Sequence, residues 1–186
     1  RPVTALATCI TRWTVKEDAR LHRLICYISS TLDTKMYGWM NYNLDDDDLF
    51  VHLYTDADWA GDQVGGKSTS GIFMCLTAPH TRFPISAVSK KQGSVAKSTA
   101  EAEVVAASEG MKAQAYPALT WWDVALDRPM KCRFEEDNTA AIKVMKKGYS
   151  PELRYIHRTQ NINLKWLAER FQEPCFDLKY CKTTEM

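Results

Sequence analysis

The stretch Leu49-Phe-Val-His-Leu-Tyr-Thr-Asp56 decides the predicted fold. Its β-branched and aromatic residues predict a strand that ends in a carboxylate. Met130-Lys-Cys-Arg-Phe-Glu-Glu-Asp137 repeats this pattern, and Glu103 lies near the start of a predicted helix between the two strands. Carboxylates gathered from distant parts of a chain are typical ligands of hard divalent cations. Asp56, Glu103 and Asp137 therefore predict a metal site.

The segments around these acids predict an α/β fold. Three strands with short connections, near 50–56, 70–77 and 84–89, predict an antiparallel meander. A helix capped by Ser98-x-x-Glu101 follows, and Pro117 is expected to break it and to start a second helix. Further elements are a strand at 130–136, a short helix capped by Asn138, a helix over about 153–172, and a last strand from Phe176.

Bulk properties exclude several classes of protein. The chain has 186 residues and a formal net charge of +1, so no global basic field indicates nucleic acid. The six cysteines form no C-x-x-C pair, which favours reduced thiols, and no apolar run is long enough to span a bilayer. We expect an intracellular protein without a membrane partner or a small-molecule cofactor. The acidic run Asp45–Asp48 divides a helical leader, 1–44, from a domain at 45–186.

Six short motifs occur in order along the second segment. They are Tyr54-Thr-Asp-Ala-Asp-Trp-Ala-Gly61, Lys67-Ser-Thr-Ser-Gly71, Ser89-Lys-Lys-Gln92, Ser98-Thr-Ala-Glu-Ala-Glu103, Asp137-Asn138 with Ala141-Ile142, and Arg158-Thr159. Together they resemble the ribonuclease H domain of copia-type (pseudovirus) retrotransposon polyproteins. The match spans roughly residues 48–182. The leader resembles the tail of the reverse transcriptase that precedes such a domain, and the chain is expected to be a piece of a longer polyprotein.

The resemblance implies a ribonuclease H-like mixed sheet of five strands, three antiparallel and then parallel additions, flanked by helices. It also implies an endonuclease that cuts the RNA strand of an RNA/DNA hybrid with two Mg²⁺ ions, for which Mn²⁺ can substitute. By position, Asp56 resembles the carboxylate that bridges both ions, while Glu103 and Asp137 complete the set. Asp58 is a second candidate for the place of Asp56, and Glu101 is explained by helix capping alone.

The sequence departs from the family at the fourth ligand. The family pattern ends in an acid on the late helix, and this chain has Asn163 there. On a helix over 153–172, Asn163 would share the stripe of Ile156, Leu167 and Phe171 and point toward the sheet. An amide oxygen can bind a metal but brings no charge, so we expect one cation site to be weaker and turnover slower. Three explanations of Asn163 are open. It is an introduced change from an acid, a natural variant of reduced activity, or a buried amide in a domain that binds metal through the other three acids alone.

A local basic patch is predicted beside Glu103. Lys90, Lys91 and Lys97 would contact phosphates, and Ser98 and Thr99 at a helix N-terminus would donate to sugar or phosphate oxygens. Recognition of a hybrid would rest on shape and on 2′-hydroxyls. The reverse transcriptase portion of the polyprotein is the expected protein partner, and the expected location is cytoplasmic, in a virus-like particle, with the nucleus as a second compartment.

Two other interpretations stay open. Gly61-Asp-Gln-Val-Gly-Gly-Lys67-Ser68 has the spacing of a nucleotide-binding phosphate loop, which requires a helix directly after it. The apolar run from Gly71 to Thr77 favours a strand there, so a hairpin turn explains the glycines better. The second alternative is a catalytically inactive ribonuclease H-like module that binds hybrid or serves as a connector, and Asn163 is the residue that supports it.

Overall fold

The computed structural model describes residues 2–41, 48–62 and 65–185. The chain divides into two compact units, residues 1–37 and 38–186. The first contains helix α1 (Pro2–Ala7), a 3-10 turn and helix α2 (Val15–Ser30). Thr14 caps α2, because its Oγ1 accepts a hydrogen bond from the Lys16 N–H. Most of the acidic run that was predicted to mark the boundary lies outside the described residues.

The second unit begins before that acidic run. The backbone of Trp39 pairs with that of Arg82 through two hydrogen bonds of 3.0 Å. The Asn41 N–H donates to Thr81 Oγ1 at 2.9 Å. Residues 38–41 therefore extend the edge of the sheet. Assignment of the leader to a reverse transcriptase stays a prediction.

A five-stranded mixed sheet forms the centre of the second unit. Its strands are β1 (Phe50–Asp58), β2 (Thr69–Ala78), β3 (Thr81–Lys91), β4 (Cys132–Glu136) and β5 (Phe176–Tyr180). The spatial order is β3-β2-β1-β4-β5. The pairs β1–β2 and β2–β3 are antiparallel, whereas β1–β4 and β4–β5 are parallel. The predicted ribonuclease H-like fold is confirmed.

Helices pack against this sheet and bury the core. They are α3 (Thr99–Gly110), α4 (Tyr116–Leu126), α5 (Thr139–Lys147), α6 (Ile156–Gln160) and α7 (Leu164–Arg170). The core includes Leu53, Met111 and Phe134, all with no exposed surface. Gly110 lets α3 cross close to β1, since a Cβ there would lie 2.8 Å from Thr55 Cγ2. This close crossing holds α3 beside the strand that carries Asp56.

Pro117 does not break the helix, contrary to the prediction. The backbone stays helical from α3 through a π-helical segment, Met111–Ala115, into α4. A proline lacks the N–H that a regular α-helix needs and its ring crowds the preceding turn. The wider π turn immediately before Pro117 accommodates the missing N–H and the bulk of the ring. Such π turns commonly accompany local departures from regular α-helical hydrogen bonding.

The single helix predicted over 153–172 is also wrong. The chain forms α6 and α7, separated by Asn161, whose φ of 55° lies in the left-handed region. Asn163 then caps α7. Asparagine tolerates left-handed backbone and is a favoured cap, so two asparagines two residues apart were a readable break signal.

A strand, β2, follows the glycine-rich loop at Gly61–Ser68. Gln63 and Val64 of that loop lie outside the described residues. A phosphate loop needs the amides of a following helix to hold phosphate, and β2 does not provide them. The structure thus agrees with a hairpin connection between β1 and β2. Among the described residues, no helix has the length and apolar character to cross a membrane.

Candidate metal centre

The carboxylates of Asp56, Glu103 and Asp137 converge. Each offers one oxygen, and these three atoms lie within 4.8 Å of one another. Glu103 is buried, while Asp56 and Asp137 are partly exposed. Three acids that are spread over 81 residues of sequence, from Asp56 to Asp137, therefore share one small volume.

The topology explains this convergence. Strands β1 and β4 are parallel neighbours, and Tyr54 lies beside Glu135 in their register. Asp56 and Asp137 each follow two residues later, so both reach the same edge of the sheet. Ser98 caps α3, because its Oγ accepts a hydrogen bond from the Glu101 N–H at 3.2 Å. The first turns of α3 then bring Glu103 to that edge.

Glu103 shows that the site lacks compensating positive charge. Burial and the neighbouring charges of Glu136, Asp56 and Asp137 raise the pKa of Glu103 to about 9. Its side chain is 3% exposed, and Oε2 has no hydrogen-bond partner among the described residues. A bound cation would supply the charge and the partner that this oxygen lacks. The donor set of three carboxylates fits Mg²⁺ or Mn²⁺, which prefer oxygen ligands.

A fourth acid, Glu136, lies near enough to the cluster for its charge to raise the pKa of Glu103, and it was not predicted. It has no exposed surface. Oε1 accepts from the Asn138 N–H at 3.1 Å, and Oε2 accepts from Thr55 Oγ1 at 3.2 Å. Burial raises the pKa of Glu136 to about 8. Cys132, Phe134 and Glu136 alternate inward along β4, so the period of the strand was the signal for its burial.

Thr183 is a second residue that the sequence did not indicate. It lies in a 3-10 turn, Thr183–Glu185, that follows β5. Its Oγ1 donates a hydrogen bond to Asp137 Oδ2 at 2.5 Å. One oxygen of Asp137 is therefore held by the protein, and its carboxylate plane is restrained. A contact over 46 residues of sequence leaves no local pattern by which to predict it.

Asn163 does not occupy the inward position expected for it. It is exposed, and its Oδ1 accepts from the Trp166 N–H at 3.1 Å as the cap of α7. The expectation of an amide buried in an apolar stripe was wrong because the helix is interrupted before it. Asp58, the second candidate for Asp56, is not among the three carboxylates that converge.

The three lysines of the predicted basic patch each contact another side chain of the protein. Lys90 Nζ pairs with Glu109 at 2.6 Å, and Lys91 Nζ contacts Asp62. Lys97 Nζ lies 5.4 Å from the centre of the Tyr155 ring. Thr99, in the first turn of α3, is exposed, and Ser98 is partly exposed. The charges at 90 and 91 are thus partly neutralised by the protein itself.

A cavity of about 310 Å³ opens beside this patch. Its lining includes Lys90, Lys91, Ser94 and Arg158. The Glu101 carboxylate accepts two hydrogen bonds near this cavity. Its Oε2 accepts from the Lys97 N–H, and its Oε1 accepts from Gln160 Nε2 on α6. The expected capping role of Glu101 is therefore only part of its function, and the residue also links α3 to α6.

Sequence comparison finds relatives among transposon polyproteins. No protein-family model matches the chain. It is 47% identical over 55 residues to a retrovirus-related Pol polyprotein from transposon RE1 of Arabidopsis thaliana. It is 37% identical over 83 residues to the corresponding polyprotein from transposon RE2 of the same plant. These matches cover 30% and 45% of this chain, which spans only 4% and 5% of the polyproteins.

Solved ribonuclease H structures align with most of the chain at low identity. LC11-RNase H1, isolated from compost, aligns over 73% of this chain and 86% of its own, with 16% identity and a TM-score of 0.48. The N-terminal RNase H domain of a Mycobacterium tuberculosis protein aligns over 73% of this chain and 84% of its own, with 14% identity and a TM-score of 0.48.

The observed strand order and directions define a ribonuclease H-like domain. The sequence matches support its origin in a retrovirus-related Pol polyprotein of a transposon, as the ordered motifs predicted.

Proposed function

We propose that the chain is a divalent-metal-dependent endonuclease that hydrolyses the RNA strand of RNA/DNA hybrids during reverse transcription of a retrotransposon. The observation that carries this proposal is the convergence of Asp56, Glu103 and Asp137 within 4.8 Å at the edge of a ribonuclease H-like sheet. The sequence relatives are retrovirus-related Pol polyproteins of transposons, which supports a role in reverse transcription.

Asp56, Glu103 and Asp137 would hold paired Mg²⁺ ions, with Mn²⁺ as a substitute. Bound there, the metal supplies Lewis-acid stabilisation of the phosphate and a water of lowered pKa. The chain contributes a fixed set of oxygens. Thr183 restrains Asp137, and Gly110 and the Ser98 cap hold α3 so that Glu103 faces the same volume. Glu103 must lose its proton for full binding, because its pKa is raised in the metal-free protein.

Hybrid would be held beside the cluster by backbone contacts. Lys90, Lys91, Lys97, Ser98 and Thr99 are the predicted contacts, and Arg158 lines the same cavity as Lys90 and Lys91. Lys90 and Lys91 are paired with Glu109 and Asp62, so phosphate must compete with these acids. Contacts of this kind position a duplex without reading its sequence, so we expect little sequence preference.

An inactive hybrid-binding module is the second candidate function. Asn163 supports it, because the family resemblance implies an acid at this position and the amide that is present supplies no charge. The capping bond from Trp166 N–H occupies Asn163 Oδ1, which leaves less of the side chain for a metal. If catalysis needs a fourth acid from this helix, the chain would bind hybrid and cut it slowly or not at all.

Cleavage of a hybrid with a labelled RNA strand separates these functions. We expect metal-dependent cutting by the unaltered chain in Mg²⁺ and Mn²⁺, and loss of at least about 100-fold in an Asp56→Asn variant, which removes charge at nearly constant volume. An Asn163→Asp variant is the informative comparison. Cutting that appears only in this variant indicates a nuclease weakened at Asn163. Binding without cutting in both chains would overturn the nuclease and favour the module.

A further inference from the structure

Glu136 occupies a position at which an apolar residue is expected. Cys132 and Phe134 precede it on the same face of β4, and all three residues have no exposed surface. A carboxylate in such surroundings is unfavourable unless hydrogen bonds or a cation compensate for the lost solvent. The interactions of Glu136 with the charges of Asp56 and Asp137 are repulsive. An acid in this place therefore needs a structural or functional reason.

Both carboxylate oxygens of Glu136 are occupied by donors of the protein. Oε2 accepts a hydrogen bond from Thr55 Oγ1 at 3.2 Å, and Oε1 accepts one from the Asn138 N–H at 3.1 Å. Glu136 is also not one of the three acids whose oxygens lie within 4.8 Å of one another. Its carboxylate thus contacts residues beside the candidate metal centre and is not placed as a ligand.

The two donors lie beside two of the three acids in the cluster. Thr55 directly precedes Asp56 on β1, and Asn138 directly follows Asp137. Asn138 is also the residue that caps α5. The single side chain of Glu136 therefore ties the residue before one acid to the residue after another.

The backbone pairing of the two strands stops just before this point. The parallel register of β1 and β4 ends at Tyr54 and Glu135, although β1 continues beside β2 as far as Asp58. The hydrogen bond between Thr55 and Glu136 continues the connection of β1 and β4 through side chains. It therefore helps to set how far apart the ends of the two strands, and the acids on them, lie.

We propose that Glu136 is a positioning residue that holds Asp56 and Asp137 at a fixed separation, and that this brace makes the metal centre selective for Mg²⁺ and Mn²⁺ over Ca²⁺. Mg²⁺ requires nearly ideal octahedral geometry, whereas Ca²⁺ accepts about six to eight oxygens in flexible arrangements. Mn²⁺ likewise suits an octahedral set of oxygen ligands. The proposal rests on the proposed function only in taking Asp56, Glu103 and Asp137 as ligands of a divalent cation.

Metal selectivity distinguishes a brace from a charge. The charge of Glu136 attracts all divalent cations nearly alike, so its loss lowers the affinities for Mn²⁺ and Ca²⁺ together. Loss of the brace lets the two aspartates move apart, which weakens binding of the cation with the stricter geometry. The ratio of Mn²⁺ affinity to Ca²⁺ affinity therefore reports the placement of the ligands.

Three variants test the brace. Glu136→Met removes both hydrogen bonds at a similar side-chain length. Glu136→Gln keeps an oxygen for the Asn138 N–H and gains an amide N–H that can donate to Thr55 Oγ1. Glu135→Met is the matched control, because Glu135 is the preceding residue on β4 and contacts His52 at 3.0 Å on the other face of the sheet.

Electron paramagnetic resonance measures free Mn²⁺ in a titration of each chain, and displacement of bound Mn²⁺ by Ca²⁺ gives the second affinity. Glu136→Met should lower the ratio of Mn²⁺ to Ca²⁺ affinity about 5-fold or more, because residues that orient ligands strongly affect metal binding. Glu136→Gln and Glu135→Met should keep the ratio within about 2-fold of the unaltered chain. An unchanged ratio in Glu136→Met, or an equal fall in Glu136→Gln or in the control, would overturn the proposal.

Thr55→Val keeps the test decisive if Glu136→Met does not fold. It removes one bond of the brace at nearly constant shape, and thermal unfolding in EDTA shows which of the chains are folded. We expect this variant to lower the ratio of affinities about 3-fold. A folded Thr55→Val chain with the ratio of the unaltered chain would contradict the brace.

Failure of the proposed function would look different. If the unaltered chain binds Mn²⁺ and Glu136→Met lowers the ratio, but no hybrid is cut in Mg²⁺ or Mn²⁺, the nuclease is refuted and the brace stands. Metal-dependent cutting together with an unchanged ratio refutes the brace alone. An unaltered chain that binds no Mn²⁺ refutes both, because the metal centre itself is then lost.

Discussion

The Thr183 hydroxyl donates a hydrogen bond to Asp137 Oδ2 at 2.5 Å, across 46 residues of sequence. This bond restrains one oxygen of a carboxylate in the cluster and leaves Oδ1 for a cation. Residues that orient metal ligands affect metal affinity although they do not touch the metal. Thr183→Val removes the hydroxyl at nearly constant shape, and we expect it to weaken Mn²⁺ binding about 3- to 10-fold, as measured by calorimetric titration.

Thr183→Ser is the matched control, because it keeps the hydroxyl. It should bind Mn²⁺ within about 2-fold of the unaltered chain, since the donor is preserved. Thermal unfolding of both variants in EDTA would show whether the turn itself is disturbed. Equal Mn²⁺ affinities for the Val and Ser variants would mean that Thr183 has no part in positioning Asp137.

The raised pKa of Glu103 makes stability in the absence of metal depend on pH. An ordinary glutamate has a pKa near 4.5, and Glu103 in the folded chain has one of about 9. The folded state therefore holds a proton that the unfolded state releases, and this stabilisation, complete below pH 4.5, is lost as pH rises toward 9. In EDTA the free energy of unfolding should fall over that range.

Glu103→Gln replaces the titrating carboxyl group with an amide that does not ionise, so it tests whether Glu103 causes this pH dependence of stability. At pH 8 in EDTA the variant should be more stable than the unaltered chain by on the order of 2 kcal/mol in urea unfolding, and the two should converge near pH 5. Mg²⁺ should stabilise the unaltered chain and should have a much smaller effect on the variant. A stability difference that does not change with pH would contradict the electrostatic origin assigned to it.

Gln92 connects three elements near the start of α3. Its Nε2 donates to Ser70 Oγ at 3.0 Å and to the Ala102 carbonyl at 2.9 Å, and its side chain is almost fully buried. Gln92→Met keeps the length of the side chain and loses both bonds. We expect a loss of about 1 to 3 kcal/mol in the free energy of unfolding, measured with urea. Gln172→Met, at an exposed position, should change it by less than about 0.5 kcal/mol.

The cap that Asn163 forms predicts a simple order of stabilities. Asn163→Ala loses the bond from the Trp166 N–H and should destabilise the chain by about 1 kcal/mol. Asn163→Ser and Asn163→Asp keep an oxygen that caps α7 and should stay within about 0.5 kcal/mol of the unaltered chain. Thermal unfolding checks this order. Should Ala match Ser, the capping bond contributes nothing measurable to stability.

Sequence patterns predicted the strands, helix caps and site residues correctly where local residue preferences agree with the tertiary fold. The β-branched and aromatic run of β1, the caps at Ser98 and Asn138, and the acids Asp56 and Asp137 at the ends of two predicted strands all led to the observed site. The ordered motifs supplied the topology, which periodicity alone does not fix. Glu103 could be chosen over Glu101 only through the family pattern, because both are buried on the same helix.

Other features depend on contacts that no local pattern records. The helix passes through Pro117 because a π turn absorbs the missing hydrogen bond, and the propensity of proline gives no sign of it. Thr183 reaches Asp137 from a distant segment. The break between α6 and α7 was predictable in principle from Asn161 and Asn163, but the apolar stripe that runs through both helices pointed to one continuous helix.

The most direct test of the central claim is to locate the cation. Crystals grown with an RNA/DNA hybrid, Mn²⁺ and the unaltered chain, or with Asp56→Asn if cutting is too fast, would give anomalous diffraction at the manganese edge. We predict a peak bound by oxygens of Glu103, Asp137 and, in the unaltered chain, Asp56, with metal–oxygen distances of about 2.0 to 2.3 Å. Well-ordered hybrid and side chains without such a peak, or a peak held by other residues, would contradict the account.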